Sequence, residues 1–163
     1  MSPESNRSVA LIIPPQVQQV LNERGIRPED LGPVIAAAQA GGRYLRQRHG
    51  GRLLAHRKAG EVTYWVEYSP TPEGYRIHTA YSHRMEVLEE APAAQDPQPA
   101  GLEADWLCQP CGRALTLGKV NVSYLHNLLS ADLHRCPSCG QAFIPEDLAV
   151  GKMAEIEMLL EGK

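Results

Sequence analysis

Apolar residues recur along this chain first with the period of a helix and then with the period of a strand. Val17, Val20 and Leu21 fall on one helical face, and Gly25 follows as a stop. Pro28-Glu29-Asp30 reads as a second helix start, with Leu31, Val34, Ile35 and Ala38 on one face and Gly41-Gly42 as the end. From Val62 the pattern changes. Val62 to Tyr68 is rich in β-branched and aromatic residues, and Ser69 to Gly74 is turn-forming. Tyr75 to Tyr81 then alternates, which predicts Tyr75, Ile77, Thr79 and Tyr81 on one strand face. Residues 1–90 therefore predict an α+β domain, N-terminal helices plus an antiparallel sheet, large enough to fold alone with a thin margin.

The apolar pattern stops at residues 89–104, where prolines and alanines replace bulky side chains. This predicts a linker over 91–104 and a second domain over 105–163. In that second part Leu115, Leu117, Val120, Val122 and Tyr124 fit a strand interrupted at Gly118-Lys119, and Leu128 to Leu133 its hairpin partner. Pro145 to Lys163 predicts a terminal helix whose stripe is Ala149, Met153, Ile156 and Leu160, widened by Leu148 and Leu159. Such a stripe either packs on the preceding strands or forms a homodimer seam.

Charge and composition narrow the function classes. The formal net charge is −3, split as +1 over residues 1–90 and −4 over residues 91–163, which gives no global drive toward nucleic acid or an anionic membrane. No apolar run reaches membrane-spanning length, and the apolar stretch Val9 to Ile13 is too short for a secretory signal, so a cytoplasmic location is expected. There is no P-loop, dinucleotide fingerprint or nucleophile elbow, so the expectation is a protein that is not an enzyme.

The candidate chemistry lies in the four cysteines, all in two units, Cys108-Gln-Pro-Cys111-Gly112 and Cys136-Pro-Ser-Cys139-Gly140. Two intervening residues let a tight turn aim both sulfurs at one ion, and the following glycine permits positive φ. Two such turns supply a tetrahedral four-thiolate shell from Cys108, Cys111, Cys136 and Cys139. Dithiol redox chemistry is the rival reading, because proline inside Cys-x-x-Cys is similar to thioredoxin-type pairs, but neither pair opens a helix after a strand. Zinc in such a closed shell is structural, whereas a single iron makes an electron carrier.

Cys-x-x-Cys-Gly followed by Cys-Pro-x-Cys-Gly is similar to rubredoxins and rubredoxin-like zinc ribbons. Residues 106–163 more closely resemble a family of short redox proteins of anaerobic bacteria, through Cys136 to Gly140, Phe143 to Leu148, and Gly151-Lys152-Met153-Ala154-Glu155. The resemblance implies a C-terminal rubredoxin-like zinc ribbon with a terminal helix, a four-cysteine metal site, and an electron-transfer or accessory role beside a larger oxidoreductase. Rubredoxins place an aromatic after the first cysteine pair, where this chain has Arg113-Ala114-Leu115. That departure favours one zinc ion, with one iron ion as the alternative.

Two further groups carry potential function. Residues 41–60 hold Arg43, Arg46, Arg48, Arg52, Arg57 and Lys58 with His49 and His56 and no acid, which suits an anion or an acidic protein surface, this chain's own second half included. A solvated edge strand accounts for the same residues and is the favoured reading. His78 and His83, five apart, point to opposite faces of a regular strand and share a metal only across a bulge. Tyr64, Trp65, Tyr68, Tyr75 and Tyr81 read as sheet core in preference to a base-stacking surface. The function expected is a non-catalytic metal-binding accessory or electron-transfer protein with a protein partner. The alternative is a structural zinc-ribbon adaptor that binds protein or, less favoured, nucleic acid.

Overall fold

The computed structural model describes residues 10–88 and 103–161. Most of the expected linker, 91–104, lies outside these residues, and its last two, Glu103 and Ala104, belong to a strand. The fold is mixed α/β. Helices α1 (Pro15–Arg24) and α2 (Pro28–Gly41) begin with proline, whose missing N–H costs nothing in a first turn. They end at Gly25 and Gly42, both in the left-handed region at φ +70° and +74°, where glycine carries no Cβ penalty. Asp30 Oδ2 accepts the Arg27 backbone N–H at 2.9 Å, closing the start of α2.

The strands are β1 (Leu11–Ile12), β2 (Leu45–Gln47), β3 (Leu53–Ala59), β4 (Val62–Thr71), β5 (Gly74–His83), β6 (Glu86–Leu88), β7 (Glu103–Cys108), β8 (Arg113–Tyr124) and β9 (Asn127–Arg135). They form one sheet in the order β1-β5-β4-β3-β2-β7-β8-β6, with β9 also on β8. All pairings are antiparallel except β1 with β5, so the expected antiparallel sheet gains one parallel edge. The division at 91–104 is a division of sequence. In space β2 hydrogen-bonds to β7, aligning Leu45 with Cys108 and Gln47 with Trp106, so one sheet runs from the first half into the second.

β6 and β7 occupy the same edge of β8. Thr116 of β8 pairs with Glu103 on one side and Arg135 of β9 on the other, and Asn121 pairs likewise with Leu88 and Ser130. Leu88 and Glu103 thus sit opposite positions five residues apart on β8, a separation of about 17 Å at about 3.4 Å per residue.

Both faces of β4 and β5 are buried. One face packs Ala55, Val66, Tyr68, Ile77 and Ala80 against Leu21, Leu31 and Ile35 of α1 and α2. The opposite face packs Leu54, Trp65, Tyr81 and Met85 against Trp106, Leu115, Ile144 and Met153 of the second half. Each large side chain in these layers contributes about 1.5–3 kcal/mol by leaving water. The single face predicted for Tyr75, Ile77, Thr79 and Tyr81 does not exist. A bulge between Glu67 and Tyr68 sets Tyr68 opposite Ile77 and Glu67 opposite Thr79, which leaves His78 as the extra residue. Tyr75 and Ile77 therefore face the helices, and Tyr81 faces the second half. The predicted turn at Ser69 to Gly74 shrinks to Pro72-Glu73, because β4 runs on to Thr71.

β8 is not interrupted at Gly118-Lys119; it pairs with β9 in unbroken register. A Cβ at Gly118 would meet the Arg135 guanidinium, so glycine here makes room for that side chain. The terminal helix starts after Pro145 and consists of α3 (Glu146–Leu148), a π-helical stretch (Ala149–Met153) and α4 (Ala154–Leu160). The wider π turn shifts the later residues around the axis. Ala149 and Met153 are buried and Ile156 packs on them, but Leu159, expected to widen the stripe, is 73% exposed. The helix covers the core shared by both halves of the same chain, and Glu157 accepts the backbone N–H groups of Arg84 and Met85 at 2.7 and 2.9 Å.

Candidate metal centre

Each cysteine pair forms a compact turn at the end of a strand. β7 ends at Cys108, and the Gly112 N–H returns to Cys108 O at 2.7 Å with Gly112 at φ +67°. β9 ends at Arg135, and the Gly140 N–H returns to Cys136 O at 3.0 Å with Gly140 at φ +84°. The left-handed glycines bend the chain back so that the second sulfur of each pair faces the first. Neighbouring strands hold the turns. The Gln109 N–H donates to Tyr44 O at 2.9 Å, and the Tyr81 hydroxyl donates to Ile144 O at 2.7 Å. In each bond one partner, Tyr44 or Tyr81, belongs to the first half of the chain.

The four sulfurs lie within 4.8 Å of one another, with Cys108 and Cys136 buried and Cys111 and Cys139 half-buried. Cys108 Sγ and Cys139 Sγ, one from each pair, are 3.7 Å apart. A tetrahedron with metal–sulfur bonds of about 2.3 Å sets its sulfurs about 3.8 Å apart. A disulfide requires about 2.05 Å. The group could therefore hold a metal ion, and its spacing suits four thiolates around one cation.

The four thiols differ in their surroundings. Burial pushes the Cys108 thiol well up, and loss of solvation, aided by Cys136 and Cys139, raises Cys111. Burial also works against ionisation of Cys139, but the Gln141 backbone N–H and the hydrogen bonds of Cys108 and Arg43 outweigh it and bring that thiol down to about 7. Four thiolates this close repel one another unless a cation lies between them. N–H groups already face the sulfurs: Ser138 and Cys139 backbone N–H toward Cys136 Sγ at 3.3 and 3.5 Å, and Gln141 Nε2 toward Cys108 Sγ at 3.0 Å.

Arg43 and Gln141 were not singled out as part of a metal site by the motif. Arg43 comes close because β2 pairs with β7, a contact that no local pattern announces. Gln141 follows Gly140 directly, and a polar residue entering a buried strand end was the available signal. Much of the remaining basic segment is paired within the chain. Arg46 bonds to Gln109 at 3.0 Å, Arg52 to Glu67 at 2.6 Å, and Lys58 lies 3.6 Å from Glu86. His56 stacks on Trp65, with centroids 4.3 Å apart.

The two histidines on β5 do not meet at a metal. His78 bonds to Ser69 Oγ at 2.8 Å. His83 Nε2 accepts the Trp65 indole N–H at 2.9 Å, which leaves Nδ1 to donate to Met85 O at 2.8 Å. Burial lowers the His83 pKa to about 4, so the ring stays neutral. Trp65, Tyr68 and Tyr81 of the aromatic set are core residues. A cleft of about 450 Å³ lies away from the sulfurs, between α1, the β4–β5 edge and α4. Its arginines are internally paired, Arg24 with Glu146 and Arg84 with Glu161. No helix among the described residues is long and apolar enough to cross a membrane.

No curated protein and no solved structure matches the chain. Residues 104–163, from β7 through both cysteine turns to the terminal helix, match the family model described as a domain of unknown function (DUF7479).

Proposed function

We propose that this chain is a non-catalytic metal-binding accessory protein in which Cys108, Cys111, Cys136 and Cys139 hold one structural zinc ion. The observation that carries this reading is the clustering of the four sulfurs within 4.8 Å of one another. A closed four-thiolate shell offers no open coordination position, so the ion orders the chain around it and activates no water. Its place supports that role: the first cysteine turn hangs between β2 and β8, and the second leads into the segment that Tyr81 holds. The ion then ties together the ends of β7 and β9, two strands that pair with β8 and not with each other. A protein partner, such as a subunit of a redox system, is what the resemblance to short redox proteins adds.

Electron transfer through a single iron is the second reading. Half-buried Cys111 and Cys139 bring the centre to the surface, and N–H groups facing sulfur are the device that tunes an iron–thiolate potential. Elemental analysis and the visible spectrum of anaerobically purified full-length protein separate the two. One zinc per chain and no visible absorption support the structural reading. One iron with a reversible, bleachable colour replaces it with electron transfer, and a metal content far below one per chain sinks both.

A further inference from the structure

Gln141 is the largest-scale exception to apolar packing around the cysteines: it is fully buried, and it touches three of the four cysteine residues. Its carbonyl accepts the Cys136 N–H at 2.8 Å, its backbone N–H serves Cys139, and its side-chain Nε2 donates to Cys108 Sγ at 3.0 Å. The side-chain bond crosses from one cysteine turn to the other, 33 residues away in sequence. The other amide atom, Oε1, has no hydrogen-bond partner among the described residues. A buried acceptor without a partner costs stability, and a methionine or leucine of similar volume would carry no such penalty. Turning the amide over would aim Oε1 at the sulfur, which a thiolate rejects. The packing alone therefore does not account for glutamine here; a negatively charged sulfur at Cys108 does.

We propose that Gln141 is a positioning residue for the metal centre, whose side-chain N–H holds the Cys108 thiolate in place and draws off part of its charge. The inference rests on the metal reading above and adds to it the residue that governs how firmly the ion is kept. A four-thiolate shell around a divalent cation carries two excess negative charges. Arg43 offsets part of that charge at half-buried Cys139, but Cys108 is sealed from water, so its relief comes from donors built into the protein: the Cys111 backbone N–H and, from the other cysteine turn, the Gln141 side chain. Removing the Gln141 donor makes the sulfur more basic, more easily protonated and more strongly electron-donating to the metal.

The test uses the full chain loaded with cobalt(II), comparing wild type with Gln141→Met and Gln141→Glu. Methionine keeps the length and volume and loses the N–H; glutamate keeps the shape and sets a carboxylate against the thiolate. Both variants should still bind one cobalt per chain. Transfer of the metal to a chelator should be about 10–100-fold more favourable for Gln141→Met than for wild type, and more so for Gln141→Glu. The sulfur-to-cobalt charge-transfer band should move to lower energy in the methionine variant, a shift that simple loosening of the fold does not produce. Equal retention and an unmoved band in either folded variant overturn the inference while leaving the metal reading intact. A wild-type chain that takes no cobalt overturns both.

Discussion

Tyr81→Phe is the sharpest single perturbation of the seam between the two halves. Tyr81 lies on β5 in the first half, 2% exposed, and its hydroxyl donates to Ile144 O at 2.7 Å just after the second cysteine turn. Phenylalanine keeps the ring, its packing against Trp65 and the strand propensity, so the loss is confined to one hydrogen bond. Ile144 is itself fully buried, and its carbonyl is left without that donor in a place water does not reach. Leaving a buried acceptor unsatisfied costs about 1–3 kcal/mol. For a chain of this size that corresponds to a fall in Tm of roughly 3–8 °C. The measurement is urea unfolding of the metal-loaded protein, followed by far-ultraviolet circular dichroism for the sheet and by release of metal to an indicator dye for the cysteine centre. Both midpoints should fall together, because the mutation breaks a bond between the layers they report. A sheet midpoint that moves while metal release stays put would show two independently folding bodies and refute the argument.

Protonation of His83 gives a pH dependence with a definite sign. Its folded pKa of about 4 lies below the ordinary value of 6.5, so between these values the unfolded chain binds more protons and stability falls as pH falls. The contribution is fully present above about pH 6.5 and about 3 kcal/mol of it is lost by pH 4, and His83→Gln should show a shallower acid slope than wild type in parallel titrations. The β8–β9 turn holds Leu125 and His126 at φ +49° and +68°, a conformation that suits Asn-Gly, and Leu125 is exposed. Leu125→Asn with His126→Gly should raise stability by about 1–2 kcal/mol, and unchanged or lower stability in urea would argue against strain there. Cys108→Ser or Cys139→Ser should drop metal content well below one per chain and lower the unfolding midpoint of the whole protein, checked by elemental analysis and circular dichroism.

The features legible in sequence were those that one short stretch determines. The second N-terminal helix starts at its proline and both stop at their glycines, because caps are local chemistry. The four cysteines cluster as their spacing implies, because each Cys-x-x-Cys-Gly turn is closed by its own backbone. What was illegible depends on distant partners. The bulge at His78 reverses the faces of β5, and alternation through that strand is compatible with either register until Tyr68 is seen opposite Ile77. The π turn shifts the stripe of the terminal helix, and a buried Glu157 makes sense only beside the backbone N–H groups of Arg84 and Met85. The pairing of β2 with β7 brings the basic segment beside the cysteines, and no periodicity within either segment encodes it.

The shared edge of β8 changes what the proline- and alanine-rich segment means for the chain. Residues 89–102 join two strands that already lie end to end, about 17 Å apart, so the covalent connection there acts by keeping the two edges at high effective concentration. Opening the chain in that segment would leave two polypeptides that still present complementary edges to each other: β2 for β7, β6 for β8, and the Tyr81 hydroxyl for Ile144. Two separately made fragments would recognise one another through strand addition, and capture of one metal ion would report their reunion.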